Sequence, residues 1–86
     1  MYLHLGSGAL VEKKSIVGIF DLDNTSQSHL TRKYLSNADK SGQVINVAED
    51  IPKSFVVCRE DGEMKIYLSQ MSTQTLLKRN NEDLIF

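Results

Sequence analysis

The residues with the clearest chemical potential are two aspartates, Asp21 and Asp23, which are separated by a single leucine. They follow an apolar run that begins at Ile16, and they precede Asn24 and Thr25. Two carboxylates at the end of a strand can share a hard cation such as Mg²⁺, and a carboxylate can also act as a nucleophile. The spacing therefore raises the question of whether this protein transfers phosphoryl groups.

The segment from Ile16 to Thr25 resembles the first motif of the haloacid-dehalogenase phosphatases, in which an apolar strand ends in Asp-x-Asp-x-Thr. That family also needs later strands that bring a Ser or Thr, a Lys and a second acidic pair to the same site. The chain after Thr25 contains no repeated strand–helix–strand units to deliver them, and a motif counts only in its structural context. We therefore interpret Asp21 and Asp23 as residues that end a strand and place negative charge at the start of a helix.

The other nucleophilic and metal-binding residue types occur singly. His4 and His29 have no partner at the spacing of a metal site or a catalytic triad, and Cys58 is the only cysteine. One cysteine allows neither an intrachain disulfide nor a zinc cluster, and it suits a reducing compartment. We predict a non-enzymatic protein with no catalytic residues, no metal, no cofactor and no small-molecule substrate.

The length and the net charge of the chain further restrict the class of protein to which it can belong. The chain has 86 residues, enough for one domain, and its 10 basic and 11 acidic residues give a net charge of −1. This balance argues against an indiscriminate nucleic-acid coat but permits a local basic face, because bases cluster at Lys13/Lys14, Arg32/Lys33 and Lys78/Arg79. The sequence shows neither a signal-peptide pattern nor the apolar run of about 20 residues that a membrane helix needs. We expect a cytoplasmic protein that does not enter a membrane.

The pattern of apolar residues predicts strands over 1–5, 9–11, 16–22, 43–48, 54–60 and 63–69, and helices over 27–40 and 73–79. Asp61-Gly62 is typical of a two-residue hairpin turn, so the last two strands should pair with each other. Ser72 is the expected N-cap of the final helix, and Gly42 is the expected C′ residue of the first.

This order of elements predicts an α+β fold: a small, largely antiparallel sheet with one medium helix and one short C-terminal helix. A single domain should cover 1–79, followed by a tail over 80–86. The strands over 16–22 and 54–60 are apolar on both faces, which is typical of central strands covered on two sides. Two such helices can hardly cover both faces of the sheet, so we predict a homo-oligomer in which a second copy supplies the missing cover.

Four ordered motifs carry a resemblance to a known family. They are Met1-Tyr2-Leu3-His4-Leu5-Gly6, Ile16-Val17-Gly18-Ile19-Phe20-Asp21, Ile51-Pro52-Lys53-Ser54, and Tyr67-Leu68-Ser69 followed by Ser72-Thr73-x-Thr75-Leu76-x-Lys78-Arg79. These motifs resemble the RemA/RemB family of bacterial extracellular-matrix regulatory proteins, and in particular its RemB branch. The resemblance implies a regulator of biofilm-matrix genes with no enzymatic activity and no cofactor.

The RemA branch of that family is understood as ring-forming, DNA-binding activators whose surface arginines contact DNA phosphates, with a domain compared to the LytTR type. The resemblance therefore implies phosphate contacts from Lys13, Lys14 and Lys53, with Arg32 and Lys33 as weaker candidates. Lysine lacks the bidentate fork of arginine, but a ring would repeat each contact and multiply its effect through avidity.

Two regulatory functions stay open on the sequence alone. The first is a homo-oligomer, in the RemA manner a ring, that binds DNA and regulates transcription. The second is an oligomeric protein-interaction module that regulates without binding DNA. The first is our prediction, and the second is the alternative, which the net charge of −1 and the absence of the arginine-rich stretch of the RemA branch favour.

Overall fold

The computed structural model describes residues 1–22 and 29–82, with the backbone alone for 29–31 and 81–82. The strands are β1 (Tyr2–Gly6), β2 (Ala9–Glu12), β3 (Ile16–Asp21), β4 (Val44–Asn46), β5 (Ser54–Glu60) and β6 (Glu63–Ser69), and the helices are α1 (His29–Lys40) and α2 (Thr73–Glu82). A short 3₁₀ turn at Lys13–Ser15 joins β2 to β3. The predicted α+β fold is confirmed, and α2 continues to Glu82 instead of ending at 79.

The strands form a two-stranded hairpin, β1–β2, and a four-stranded sheet in the order β3-β5-β6-β4. Within the larger sheet β5 is antiparallel to both of its neighbours, whereas β4 lies parallel to β6. The predicted β5–β6 hairpin is confirmed. Asp61 and Gly62 adopt φ values of 52° and 81°, which suits the two-residue turn that needs positive φ at both central positions.

The chain builds three layers around β5, whose first five residues, 54–58, are buried on both faces of the sheet. One cluster packs toward α1, and the other packs toward the β1–β2 hairpin and α2. The buried members of the α1-side cluster are Ala38, Phe55, Val57 and Ile66. Those of the hairpin-side cluster are Leu3, Leu5, Val11, Val56, Cys58 and Leu76.

The prediction that the strand over 16–22 is central was wrong, because β3 lies at the edge of the sheet. A β-bulge between Ile16 and Gly18 interrupts its pairing with β5, and Val17 is 61% exposed. Phe20 is 41% exposed; its ring occupies the space above Gly18 and stacks on Phe55 with the ring centroids 5.0 Å apart. β3 is therefore not buried on both faces, because Val17 and Phe20 both keep a large part of their side chains exposed.

The helix predicted over 27–40 is confirmed from His29 to Lys40, while positions 27 and 28 lie outside the described residues. The helix ends in the expected way at Gly42, which has a φ of 73° and donates its N–H to the Asp39 carbonyl at 3.0 Å. The strand that follows, β4, is shorter than predicted. Asn46 ends it, because its side-chain oxygen accepts the N–H of Ala48 at 2.9 Å.

Two fully buried serines connect the layers. The Ser69 hydroxyl donates to the Leu5 carbonyl at 2.8 Å and accepts the N–H of Met71 at 3.0 Å. The Ser54 hydroxyl donates to the Met71 carbonyl at 2.7 Å. These bonds satisfy backbone groups that the core would otherwise leave without partners, and they join the hairpin to the segment that enters α2.

The predicted N-cap of α2 is confirmed. The Ser72 hydroxyl oxygen accepts the N–H of Thr75 at 3.1 Å, so it satisfies one of the free donors at the start of the helix. Leu76, one turn into the helix, is fully buried, and Met71 packs against the same cluster. The cap and this contact together fix α2 against the hairpin side of the sheet.

Candidate nucleic-acid interface

Two of the cations predicted to contact phosphate, Lys14 and Lys53, lie at opposite ends of the sheet. Lys14 precedes β3 and Lys53 precedes β5, and these two strands pair in antiparallel fashion. Their starting points are therefore separated by the length of the ladder, roughly 20 Å for strands of this size. One copy of the chain cannot use both lysines on the same few phosphates.

Lys13 has a structural role that the sequence did not indicate. It is half-buried, and its Nζ donates to the carbonyls of Arg79 and Asn80, both at 3.1 Å. These carbonyls belong to the last turns of α2, where helix geometry leaves acceptors without intrahelical partners and a positive charge is favourable. Lys13 therefore caps α2 from the 3₁₀ turn.

This cap places the backbone at the end of α2 next to the 3₁₀ turn, and we call the four cations of these two segments, Lys13, Lys14, Lys78 and Arg79, the basic corner. Lys78 and Arg79 are exposed, and the Lys14 side chain is 80% exposed. Lys14 also forms an ion pair with Glu12 at 3.3 Å. An ion pair this exposed contributes little to the stability of the fold, so Lys14 can leave Glu12 and contact a phosphate. The Arg79 guanidinium lies against the Met71 sulfur, 3.5 Å away, so the Lys13 hydrogen bonds bring the two segments together through the backbone of α2.

Sequence reasoning included Lys78 and Arg79 in a cluster of bases and in a family motif, but it did not name them as site residues. The missing information was the contact across the chain between Lys13 and the carbonyl groups of α2. The spacing of residue types in a sequence cannot predict this contact, because every residue has a backbone carbonyl and the acceptors here are two of them.

Lys13 and Lys14 should respond differently to the loss of charge. Lys13→Met should lower the free energy of unfolding by about 1–2 kcal/mol, because two helix carbonyls lose a charged donor. Lys14→Met should change the free energy of unfolding by less than about 0.5 kcal/mol, because the Lys14 side chain is 80% exposed and its ion pair with Glu12 is open to solvent. Urea unfolding of the two variants measures the difference. Equal losses would show that the hydrogen bonds to α2 do not stabilise the fold.

The other predicted cations lie away from the basic corner. Lys53 follows Pro52, which lines a mostly apolar groove of about 390 Å³ together with Leu35 of α1. Arg32 and Lys33 lie about one helical turn before Leu35, and all three cations are exposed. They belong to the α1 side of the molecule, so the five predicted residues divide between two regions.

A second groove, of about 510 Å³, adjoins Lys14 and contains a further cation, Arg59. Glu12, Glu60 and Asp61 line the same groove, so its carboxylates outnumber its two cations. Such a balance does not suit a phosphate. We expect the basic corner to meet an anionic partner on the α2 side of Lys14, away from this groove.

The residues that suggested catalysis are placed as follows. Asp21 is half-buried at the end of β3, opposite Ser54, whereas Asp23, Asn24 and Thr25 lie outside the described residues. Over residues 1–22 and 29–82, no three His, Cys, Asp or Glu side chains come close enough to hold a metal ion. His4 is exposed and accepts the N–H of Gly6 at its Nδ1, 3.3 Å away, within the turn that follows β1.

Two titratable groups have raised pKa values for structural reasons. Burial, helped by the nearby Glu60 carboxylate, raises the pKa of the Cys58 thiol to about 11. Burial and a hydrogen bond to Glu60 raise the pKa of Tyr67 to about 12, and the Tyr67 hydroxyl lies 3.0 and 3.2 Å from the two carboxylate oxygens. Both groups keep their protons near neutral pH, so Cys58 is a poor nucleophile there.

None of the helices in the part of the chain that the structure describes is both long and apolar enough to cross a membrane.

Comparison with known proteins assigns a family. The model of the family described as "RemA-like: Extracellular matrix regulatory protein A-like" matches residues 2–79. Extracellular matrix regulatory protein B of Bacillus subtilis (strain 168) is 35% identical over 79 residues, which cover 92% of this chain and 89% of the relative. The family match extends from the first strand through α2 to Arg79, and it therefore includes the whole basic corner.

Proposed function

The chain belongs to the RemA-like family of extracellular matrix regulatory proteins, and on that premise we propose that it regulates matrix genes by binding DNA as a homo-oligomer. The regulation is non-enzymatic and needs no cofactor. The DNA contacts are phosphate contacts, which position a protein on the duplex without reading its sequence.

The basic corner is the observation that supports DNA binding. It comprises four cations on two adjoining segments of a chain whose net charge is −1, and Lys14, Lys78 and Arg79 among them are exposed. Lysine and arginine that neutralise DNA phosphates release condensed counterions, which is the main source of affinity in sequence-independent binding. Lys13 contributes by fixing the end of α2 beside Lys14.

The proposal includes oligomerisation because tight DNA binding through so small a contact surface requires several copies. A few lysines in one copy bind a duplex weakly, since each neutralised phosphate changes the salt slope by only about 0.9. An assembly that presents several basic corners to one duplex binds much more tightly through avidity. Lys53, Arg32 and Lys33 on the α1 side could then meet phosphates that the basic corner of the same copy does not reach.

A second candidate function is an oligomeric interaction module that regulates without DNA. The exposed apolar side chains favour it, because Tyr2, Leu10, Val17 and Ile51 are each more than half exposed. Tyr2 and Leu10 adjoin each other in one groove on the β1–β2 hairpin, and contiguous exposed apolar side chains are typical of surfaces that meet another protein.

Light scattering and a DNA titration on the same sample distinguish the two functions. We expect a mass that is a multiple of one chain, together with a rise in the fluorescence anisotropy of a labelled duplex at about 50 mM salt. An oligomer that leaves the anisotropy unchanged would support the interaction module instead. A monomer that binds no DNA would contradict both.

A further inference from the structure

Helix α1 covers its face of the sheet only in part. From Arg32 to Lys40, Ala38 is the one buried residue of α1, and Leu35 is half-buried. A helix that packs fully against a sheet normally buries about three or four residues in every two turns. Apolar side chains of the sheet beside α1 therefore stay accessible to a partner.

These accessible side chains form the apolar groove of about 390 Å³ beside α1, which we call the α1 groove. Its apolar lining residues are all half-buried: Leu22, Leu35, Val44, Pro52 and Leu68. Because each of them keeps contact with solvent, the groove does not enclose a ligand as a small-molecule pocket does. It suits the side chains of a peptide segment that lies across the surface.

The loop that precedes β5 enlarges this apolar surface. Ile51 adjoins Pro52 and is 78% exposed. A single exposed apolar residue is common on a protein surface, but one beside an apolar groove adds to the area that a partner can cover.

One end of the α1 groove is basic. The N–H of Lys53 donates to the Ser69 carbonyl at 2.8 Å, and the Lys53 carbonyl accepts the N–H of Leu22 at 3.0 Å. These two bonds fix Lys53 beside a residue that lines the groove, and Lys53 is exposed. A carboxylate of a bound partner can pair with its ammonium group there.

The other end of the groove carries a carboxylate. Asp39 lines the groove near the end of α1, and the chain enters β4 soon afterwards at Val44. Val44 pairs with Ile66, whereas Lys53 is bonded to Ser69, further along β6, so the two ends lie roughly 10 Å apart. A partner with its carboxylates at the Lys53 end avoids repulsion from Asp39.

We propose that the α1 groove docks a peptide segment of another protein in which apolar side chains lie next to carboxylates. The apolar side chains fill the groove, and a carboxylate pairs with Lys53. Duplex DNA fits this surface less well, because leucine, valine and proline side chains offer nothing to a phosphate. The groove and α2 lie on opposite faces of the sheet, so the segment can bind while DNA occupies the basic corner.

A synthetic peptide tests the chemistry of the partner. The probe is a fluorescein-labelled peptide with two aspartates ahead of three leucines, and its anisotropy is measured with the wild-type protein and without DNA. We expect saturable binding below about 1 mM, and about tenfold weaker binding when lysines replace the aspartates. No binding of the acidic peptide at about 1 mM, or equal binding of the lysine peptide, would overturn the proposal.

A bulky side chain in the groove tests the location. Ser36 is exposed and lines the groove, so Ser36→Phe should occupy part of it and lower the affinity for the acidic peptide by about tenfold. Asn37→Phe is the matched control, since Asn37 is the next residue of α1, is exposed and does not line the groove. Circular dichroism checks that both variants are folded. An unchanged affinity in folded Ser36→Phe, or an equal loss in both variants, would place the peptide elsewhere.

A charge reversal tests the pairing with Lys53 without altering the groove itself. Lys53→Glu should weaken binding of the acidic peptide by about tenfold, whereas Lys33→Glu, on an exposed part of α1, should stay within about threefold of the wild type. Equal affinities of the two variants would contradict the role of Lys53.

Light scattering of Ser36→Phe distinguishes another protein from a second copy of this chain. We expect the wild-type mass, because the groove is the site of a different partner. A lower mass would show that a second copy occupies the groove and would overturn the proposal. None of these measurements contains DNA, so their failure would leave DNA binding by the basic corner untouched.

Discussion

Replacing Ser69 with alanine should lower the free energy of unfolding by about 2–4 kcal/mol, measured by urea denaturation. The Ser69 hydroxyl is buried and makes two hydrogen bonds to backbone, one to the Leu5 carbonyl and one to the Met71 N–H. Leu5 lies where the register of the β1–β2 hairpin shifts, between the paired residues His4 and Gly6. Alanine would therefore leave two buried backbone groups without partners, and each unsatisfied group costs about 1–3 kcal/mol.

Two further serine variants calibrate this loss. Ser54→Ala removes one hydrogen bond, to the Met71 carbonyl, and should cost about half as much as Ser69→Ala, roughly 1–2 kcal/mol. Ser41 is exposed just after α1, and Ser41→Ala should change the stability by less than about 0.5 kcal/mol. If Ser69→Ala lowered the free energy of unfolding no more than Ser41→Ala does, the hydrogen bonds of Ser69 between the hairpin and the sheet would not stabilise the fold.

Lys14→Glu should weaken the binding of a duplex by about thirtyfold, from the loss of roughly 1 kcal/mol in each of two copies that touch the DNA. Lys14 is the exposed lysine of the 3₁₀ turn, and glutamate there would repel phosphate beside Lys78 and Arg79. The fold should be unaffected, since the ion pair with Glu12 is exposed. Fluorescence anisotropy at fixed salt measures the change.

Lys40→Glu is the matched control for this reversal. Lys40 is exposed in the last turn of α1, away from the basic corner, and its reversal changes the net charge by the same amount. We expect its affinity to stay within about threefold of the wild type, since only the long-range field changes. Equal weakening of duplex binding by both variants would show that the overall charge of the protein, and not the basic corner, determines the affinity.

The elements were predictable because local signals report them. The β5–β6 hairpin follows from Asp61-Gly62 between two apolar runs, and the end of α1 follows from Gly42. In each case the decisive residues are neighbours in the chain, so a short stretch of sequence is enough to predict the element.

The position of β3 was not predictable from the same kind of signal. Its two apolar faces match the pattern of a central strand, and only the three-dimensional order of strands shows that one side is free. A bulge moves Val17 out of the alternation, and the ring of Phe20 covers Gly18 instead of entering the core. Two apolar faces in a sequence therefore do not distinguish a central strand from a bulged edge strand.

The basic corner could not be predicted because it depends on a hydrogen bond between distant parts of the chain. Lys13 was expected to contact phosphate, and the structure instead places its amine on carbonyls at the end of α2. The same bonds hold the segment that contains Lys78 and Arg79 against the 3₁₀ turn that contains Lys14. A pattern of charges along the sequence shows which lysines exist, whereas the fold decides which of them can act together.

The salt dependence of DNA affinity shows whether the basic corner binds DNA through its phosphates. Affinities of the wild type and of Lys14→Glu would be measured for one duplex between about 50 and 200 mM salt. We predict a linear fall of log K with log salt for the wild type, and a slope that is shallower in Lys14→Glu by about 0.9 for every phosphate contact that is lost. An affinity that does not change with salt, or the same slope in both proteins, would contradict phosphate binding by Lys14 and the basic corner.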